Sequence, residues 1–289
     1  MTFPICAPRL ALRLGAVALL GLGLAGCSTV DALNPFSGEK YEQKILRDTP
    51  AETLYNQGLV RLERGDGEIA AKRFAAVDRQ HPNSEWSKKA MLMQTYSEYK
   101  AAKYDDAIGS ANRYYNRFPN DKEAPYALYL AAMSYYQMTP DITRDQERAE
   151  KGLALFQSLV QRYPKSEYVE DSKHKIQVLR DQLAGKEISV GRFYLARRNY
   201  TAAINRFRNV IGVYQTTRHT EEALMRLTEA YMALGVTNEA QTAAAVLGHN
   251  YPDSQWYKDS YALLKSGGLE PREDSGSWIS KAFKRVGLG

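Results

Sequence analysis

His81-Pro82-Asn83-Ser84-Glu85-Trp86, Phe118-Pro119-Asn120-Asp121, Tyr163-Pro164-Lys165-Ser166-Glu167-Tyr168 and Tyr251-Pro252-Asp253-Ser254-Gln255-Trp256 are one phrase written four times. Each copy follows one apolar-periodic segment and precedes another. Proline stops a helix because it lacks an amide proton and its ring clashes with the preceding turn. The Ser or Asp two residues further on caps the next helix. Counting back from each proline, an apolar or aromatic residue stands at −5, another apolar residue at −8 and a small one at −12. These are Val77, Phe74 and Ala70; Tyr114, Ala111 and Ala107; Leu159, Phe156 and Gly152; Leu247, Ala244 and Ala240. A fifth copy keeps Ala203, Phe207 and Val210 but carries Gln215 in place of the proline. The expected fold class is all-α, a superhelix of paired antiparallel helices. Small residues (Gly58, Gly191, Ala70, Ala203) let the two helices of a pair approach, and Phe74, Phe156 and Phe207 are expected to fill the space toward the next pair.

The pattern resembles the tetratricopeptide repeat, which runs large, small, aromatic, then Ala, Phe, Ala and Pro. Five irregular copies fall near residues 51–82, 88–119, 125–164, 184–215 and 221–252. The third carries an insertion, Met138 to Asp145, and a further helical stretch from about Val169 to Leu183 leads into the fourth.

The N-terminus is of another kind. Arg9 and Arg13 precede an apolar run from Leu14 to Leu24, and Leu24-Ala25-Gly26-Cys27 closes it. Basic, apolar and small-residue regions in that order form a secretory signal too short to span a bilayer as a helix. The cysteine after Leu-Ala-Gly resembles the lipobox of bacterial lipoproteins. That resemblance implies cleavage before Cys27, a covalent lipid on its thiol, and, with Ser28 and Thr29 following, sorting to the outer membrane. Gly21 to Gly26 also spells GxGxxG, but it follows no strand and lies in the segment to be removed, so no nucleotide site is read there.

The expected division is therefore a signal peptide over 1–26, a lipidated tether over 27–50, a five-repeat array over 51–265 and a flexible tail over 266–289. The tail reads two ways. Trp278 to Val286 forms either a short basic amphipathic helix for a membrane surface or partner, or a disordered stretch with stray aromatics. Hydrophobic residues make up 44% of the chain, enough for a core. Cys6 lies in the signal and Cys27 is the lipid site, so no disulfide is expected and packing alone holds the array. Removing Arg9 and Arg13 lowers the net charge from +6 to +4, a mild excess spread along the chain that argues against nucleic acid.

No enzyme is expected. His81, His174, His219 and His249 are scattered, and no metal-ligand or nucleophile spacing occurs, so neither a catalytic nor a metal site is assigned. Glu221-Glu222 and Asp105-Asp106 read as solvated helix starts, since neighbours on a helix point apart.

Lipobox, tether and five unevenly spaced repeats together resemble the BamD family, lipoprotein subunits of the outer-membrane β-barrel assembly machinery. Residues 51–58, 163–168 and 196–206 carry the likeness, and the tail beyond 265 departs from it. The resemblance implies a non-catalytic scaffold on the periplasmic face of the outer membrane, with no cofactor apart from the lipid on Cys27. Implied partners are the periplasmic domains of the barrel-forming subunit, small accessory lipoproteins and unfolded outer-membrane protein clients. A secretin pilotin or a cell-division coordinator is the alternative adaptor.

In such repeats the first helix of each pair lines the concave face, through roughly its second, fifth, ninth, twelfth and thirteenth positions. In repeats one to three these include Tyr55, Lys89, Tyr96, Tyr99, Lys100, Tyr126, Tyr129, Met133 and Tyr136; six of the fifteen positions are tyrosine. Tyrosine offers apolar area and a hydroxyl at low rotamer cost, which suits a sequence-tolerant grip on an extended chain. Met133 adds an adaptable contact, and Lys89 and Lys100 suit a terminal carboxylate. The other reading packs these tyrosines between repeats. The matching positions in repeats four and five, among them Arg192 and Glu222, lack tyrosine. Residues 51–164 are thus expected to hold client and residues 165–265 to dock partners. By resemblance Arg206 is the expected contact to the barrel-forming subunit; its other reading is a solvated helix charge.

Overall fold

A computed structural model describes residues 49–285 and 287. The signal, Cys27 and the tether up to residue 48 lie outside the described residues. Within them are twelve α-helices and no strand. Five antiparallel pairs follow one another: α1 (Ala51–Glu63) with α2 (Gly67–Gln80), α3 (Glu85–Lys100) with α4 (Tyr104–Arg117), α5 (Ala124–Gln137) with α6 (Glu147–Arg162), α7 (Val169–Ala196) with α8 (Tyr200–Val213), and α9 (Thr220–Ala233) with α10 (Thr237–Asn250). Two more, α11 (Gln255–Ser266) and α12 (Trp278–Arg285), complete the chain.

The quoted phrase builds the same joint each time. His81, Phe118, Tyr163, Tyr214 and Tyr251 leave their helices at φ between −119° and −137°. Each still donates its N–H to the carbonyl four residues back. Tyr214 does so with Gln215 after it, so the joint does not depend on proline. Ser84 and Ser254 cap α3 and α11 through their hydroxyls. Asp121 accepts from the Glu123 amide at 2.9 Å, and Ser166 from the Tyr168 amide at 3.3 Å. Inside a pair the turn is made by one left-handed residue: Gly65, Ala102, Arg198 or Gly235. The next amide then reaches back to the last turn of the helix, as Asp66 does to Arg61 and Asn199 to Tyr194.

Close approach within a pair is literal. A Cβ on Gly58 would stand 2.6 Å from the Phe74 ring, and one on Gly191 2.3 Å from the Phe207 ring. Phe74 and Phe207 therefore fill the space over the glycine of their own pair, and both share a core cluster with residues of the next pair, among them Ala90 and Leu224. Where the −8 residue shrinks to Ala111 or Ala244, the glycine position grows to Thr95 or Thr228, and all four are buried. The register is strict. Residues of repeats one and two recur 133 positions later in repeats four and five, Gly58 as Gly191, Phe74 as Phe207, Thr95 as Thr228 and Pro119 as Pro252.

Between these two copies lies the irregular third pair, with its 138–146 loop. The stretch 169–183 is not a separate helix: it runs unbroken into the first helix of repeat four, making α7 28 residues long. The helices α1 and α3, α3 and α5, α5 and α7, and α9 and α11 touch one another, while no comparable contact joins α2 to α4, α4 to α6 or α8 to α10. The first helices thus share one side of the stack, α7 and α9 being joined there by the Arg192–Glu222 ion pair.

The expectation of a flexible tail is corrected. The segment 267–277 runs back along α10: Arg272 N–H donates to the Gln241 carbonyl at 3.4 Å, and Asp274 N–H to the Thr242 hydroxyl at 3.2 Å. Helix α12 then lies on α8 and α10. It is amphipathic as read, but Ile279 and Phe283 are buried in the chain's own core.

A Gly191→Ala change should destabilise the fold by about 1–3 kcal/mol through overpacking, and Phe207→Ala by about 3–5 kcal/mol through the cavity it leaves. The double variant Gly191→Thr with Phe207→Ala copies the Thr228–Ala244 arrangement. In a urea-denaturation cycle it should lose at least about 1 kcal/mol less than Gly191→Thr and Phe207→Ala summed.

Candidate functional site

The first helices of the N-terminal half carry the tyrosines singled out above. All six tyrosines singled out above are half-buried, as is Met133, whereas Lys89 and Lys100 are exposed. They fall into two groups. Tyr55 sits between Phe74 and Trp86, with ring centroids 5.3 and 5.0 Å away. Further along, Tyr96, Tyr99, Tyr126 and Tyr129 are close enough for their hydroxyls to influence one another. Tyr168, at the start of α7, stacks on both Tyr126 (5.2 Å) and Tyr129 (4.9 Å). Tyr129 also packs edge-on to Phe156 and donates to Asp171 at 2.7 Å. Tyr136 lies under the Lys175 ammonium, and the Tyr99 hydroxyl accepts from Gln137 at 3.3 Å. Each of these rings is thus partly packed against its neighbours and partly exposed.

Burial pushes the Tyr126 and Tyr129 hydroxyls above the usual tyrosine range. It also pushes Tyr168 up to about 12, with help from the neighbouring Glu167. These three hydroxyls thus stay neutral and keep their donors at any physiological pH.

The two lysines are not brought together. Lys89 and Lys100 are eleven residues apart on α3, which is about 16 Å along the axis, and Lys89 lies 4.9 Å over the Trp86 ring. The cation that is built into the site is Lys88. It pairs with Asp121 at 2.6 Å, and Asp121 also accepts from the Tyr114 hydroxyl at 2.9 Å. Burial pushes the Asp121 carboxyl up, but its bonds from Lys88, the Glu123 amide and Tyr114 outweigh that and hold it below the ordinary carboxylate range. Tyr55, Leu92, Lys88, Lys89 and Asp121 line a cavity of about 260 Å³ at this end of the wall.

The C-terminal half uses the same positions differently. Leu59 and Lys89 of the first copy recur as Arg192 and Glu222 of the second. There the guanidinium grips the carboxylate through Nε, at 2.5 Å, and through Nη2, with Arg226 beside them. Glu222 is buried, so the expectation of a solvated helix start is corrected; Glu221 likewise accepts from Ser254 at 2.5 Å. Asp105 and Asp106 are exposed, as read. Arg206 is exposed on α8, with Nη1 3.4 Å from Glu187 of α7. It lines a polar depression of about 510 Å³ with Tyr194, Asn205 and Arg208. Among the described residues no three His, Cys, Asp or Glu side chains gather for a metal, and no helix is long and apolar enough to cross a membrane.

Fold and surfaces define a tetratricopeptide-type helical-repeat protein with an aromatic wall at one end and a polar, ion-paired surface at the other. A family profile described as "YfiO: Outer membrane lipoprotein" matches residues 47–247. The chain is 43% identical over 256 residues to the outer membrane protein assembly factor BamD of Caulobacter vibrioides, covering 89% of this chain and 81% of that one. It is 41% identical to the BamD of Rickettsia prowazekii, covering 89% and 98%. The BamD of Neisseria meningitidis serogroup A is 31% identical, covering 81% and 90%. The chain belongs to the BamD family.

Asp121→Asn should lower stability at pH 7 by about 1–2 kcal/mol, the worth of hydrogen bonds to a charged group. Because the folded carboxyl titrates below its unfolded value, that contribution is present above the unfolded value and lost as pH falls through the folded one. The gap between variant and parent should therefore close in acid, as measured by thermal unfolding from pH 7 to pH 3.

Proposed function

We propose that this chain is a scaffold that recognises clients during assembly of β-barrel proteins into the outer membrane. It is held at the periplasmic face by a lipid on Cys27 and docks the barrel-forming subunit and smaller lipoproteins. Family membership supports the general role, since the relatives are named outer membrane protein assembly factors. The observation that carries the finer reading is the tyrosine wall of α1, α3 and α5, confined to the N-terminal half. An unfolded barrel protein presents extended segments with alternating apolar and polar residues. Half-buried tyrosines offer a rigid apolar surface together with hydroxyls that pair with backbone groups, without demanding one sequence. Met133 within that wall accommodates side chains of different shape. The lipobox at Cys27 is the sequence feature that supports the anchor.

The C-terminal half suits docking of folded partners. Arg206 is exposed beside a polar depression, and Glu187 steadies its guanidinium without burying it. Such a charge pairs readily with a carboxylate on another protein. The role asks for binding at two ends of one rigid array and for no bond-making step.

Tyr96→Ala combined with Tyr99→Ala should weaken binding of a peptide copied from the C-terminus of a barrel protein about tenfold, or ~1.4 kcal/mol. Fluorescence titration reads this, and unchanged affinity would move the client site elsewhere. Arg206→Glu should reduce co-purification with the periplasmic domains of the barrel-forming subunit and leave peptide binding intact. Retention of that complex would remove Arg206 from the interface.

A further inference from the structure

The 133-residue internal correspondence gives the seat of α12 a counterpart at the other end of the array. In the C-terminal copy the start of α12 is held by three residues of α8, α9 and α10. Tyr231 accepts from the Trp278 indole N–H at 3.2 Å, Glu239 accepts from the Ser277 hydroxyl at 2.7 Å, and Arg208 lies 4.7 Å over the Trp278 ring. Their counterparts on α3, α4 and α2 are Glu98, Asp106 and Ala75. These line a cavity of about 170 Å³ floored by Ala71 and rimmed by Lys72 and Lys103. No segment among the described residues crosses α2 and α4 as α12 crosses α8 and α10.

The substitutions change what the seat asks of its visitor. Glu98 is only 8% exposed, and its carboxylate accepts from the neutral donors Ser110 (2.5 Å) and Gln94 (2.7 Å). It makes no ion pair among the described residues, and neither does Asp106. Lys72 and Lys103 are turned to Glu68, at 2.9 and 3.9 Å. A buried carboxylate satisfied by neutral donors alone gains from a cation that completes its shell. In the C-terminal copy the chain itself supplies the cation, Arg208, and the docking segment supplies the aromatic ring. In the N-terminal copy the chain has Ala75 where that arginine stood and a carboxylate where the tyrosine hydroxyl stood. Glu68, Lys72 and Lys103 also stand where the C-terminal copy has Thr201, Asn205 and Val236. The lining thus goes from neutral (Arg208 with Glu239) to one net negative charge, its two lysines lying at the rim beside Glu68.

The far end of the seat decides against an apolar helix. Ile211 and Asn250, which lie at the other end of the α8–α10 groove, correspond to Asp78 and Arg117, and these are bridged at 3.2 Å. Nothing there receives counterparts of Ile279 and Phe283. We propose that the cavity between α2, α3 and α4 is a docking socket for one lysine or arginine side chain of a protein partner. The partner segment would lie across α2 and α4, with Glu98 taking the charge and Asp106 taking a neighbouring hydrogen-bond donor, as Glu239 takes Ser277. This socket faces away from the tyrosine wall, and its occupancy is independent of client binding there.

The test uses the full chain in native outer-membrane fractions, with a benzophenone amino acid in place of Lys72 as the crosslinking probe and a second at Lys281 as control. The expected result is a protein adduct whose crosslinked peptide carries Lys or Arg within three residues of the attachment point. Its yield should fall at least fivefold in Glu98→Gln, in Ala75→Arg, which restores the counterpart of Arg208, and in the exposed variant Asp106→Asn, while Lys281 adducts are unchanged. Asp106→Asn leaves the core untouched, so a loss there does not reflect unfolding. Absence of an adduct, an adduct that survives Asp106→Asn and Ala75→Arg, a crosslinked segment without a basic residue, or capture of a second copy of this chain would each overturn the proposal.

Discussion

The depth to which two helices of a pair can sink into each other governs everything else in this array. At that depth a Phe ring lies directly over a glycine Cα, as Phe74 does over Gly58 and Phe207 over Gly191. Burial of one such side chain contributes about 1.5–3 kcal/mol, and the close approach adds dispersion contacts that a looser pair lacks. With no cysteine pair in the array, repetition of this contact and its Thr–Ala variant carries the stability, each pair leaning on its neighbours. Depth also fixes where the outer faces of the helices lie. A pair held one side chain further apart would spread the wall on which Tyr96, Tyr99, Tyr126 and Tyr129 converge.

Two joints convert this contact into a stack. The left-handed residue inside four of the five pairs reverses the chain in the fewest residues, and Ala102 and Arg198 adopt it without the freedom of glycine. A conformation that costs a non-glycine residue about 1–2 kcal/mol persists there because the helix ends on both sides are already fixed by packing. The non-helical residue that ends each pair then sets each new pair against the last. The third repeat breaks the rhythm. Its loop over 138–146 and the long α7 separate two copies of one two-pair unit, so the chain reads as a duplicated block joined by an adaptor. That separation lets the two blocks diverge in surface chemistry while their cores stay superimposable in sequence.

The cores and joints were legible because they rest on local rules. Proline after an aromatic, Ser or Asp two residues on, and small residues at fixed spacing each have one structural meaning. Tyr168 escaped notice because it belongs to the junction phrase, and only the fold carries it across to Tyr126 and Tyr129. Lys88 was passed over for Lys89 because helix-position counting cannot tell which of two adjacent lysines meets an aspartate 33 residues away. Glu222 looked solvated beside Glu221 at a helix start; its partner Arg192 lies on another repeat. The tail misled in a similar way. Its Gly, Pro and acid content signals freedom, and Ile279 and Phe283 signal an apolar face, but whether that face meets lipid, partner or the chain's own α8 and α10 is a long-range fact.

The same backbone positions do opposite work in the two blocks, and electrostatics explains how. In the C-terminal block Arg192 and Glu222 satisfy each other across the first-helix wall, and Arg208, Tyr231 and Glu239 are occupied by the returning tail. In the N-terminal block Leu59 and Lys89 replace the ion pair, Tyr55, Tyr96 and Tyr99 stand in place of Ile188, Glu229 and Met232, and no returning segment among the described residues covers the outer groove. A fully paired surface resists adaptation, since any visitor must first break charge-assisted bonds. An aromatic wall with neutral hydroxyls asks for no such exchange. One duplicated scaffold therefore presents two surfaces of different chemistry, divided by which block satisfies its polar groups internally.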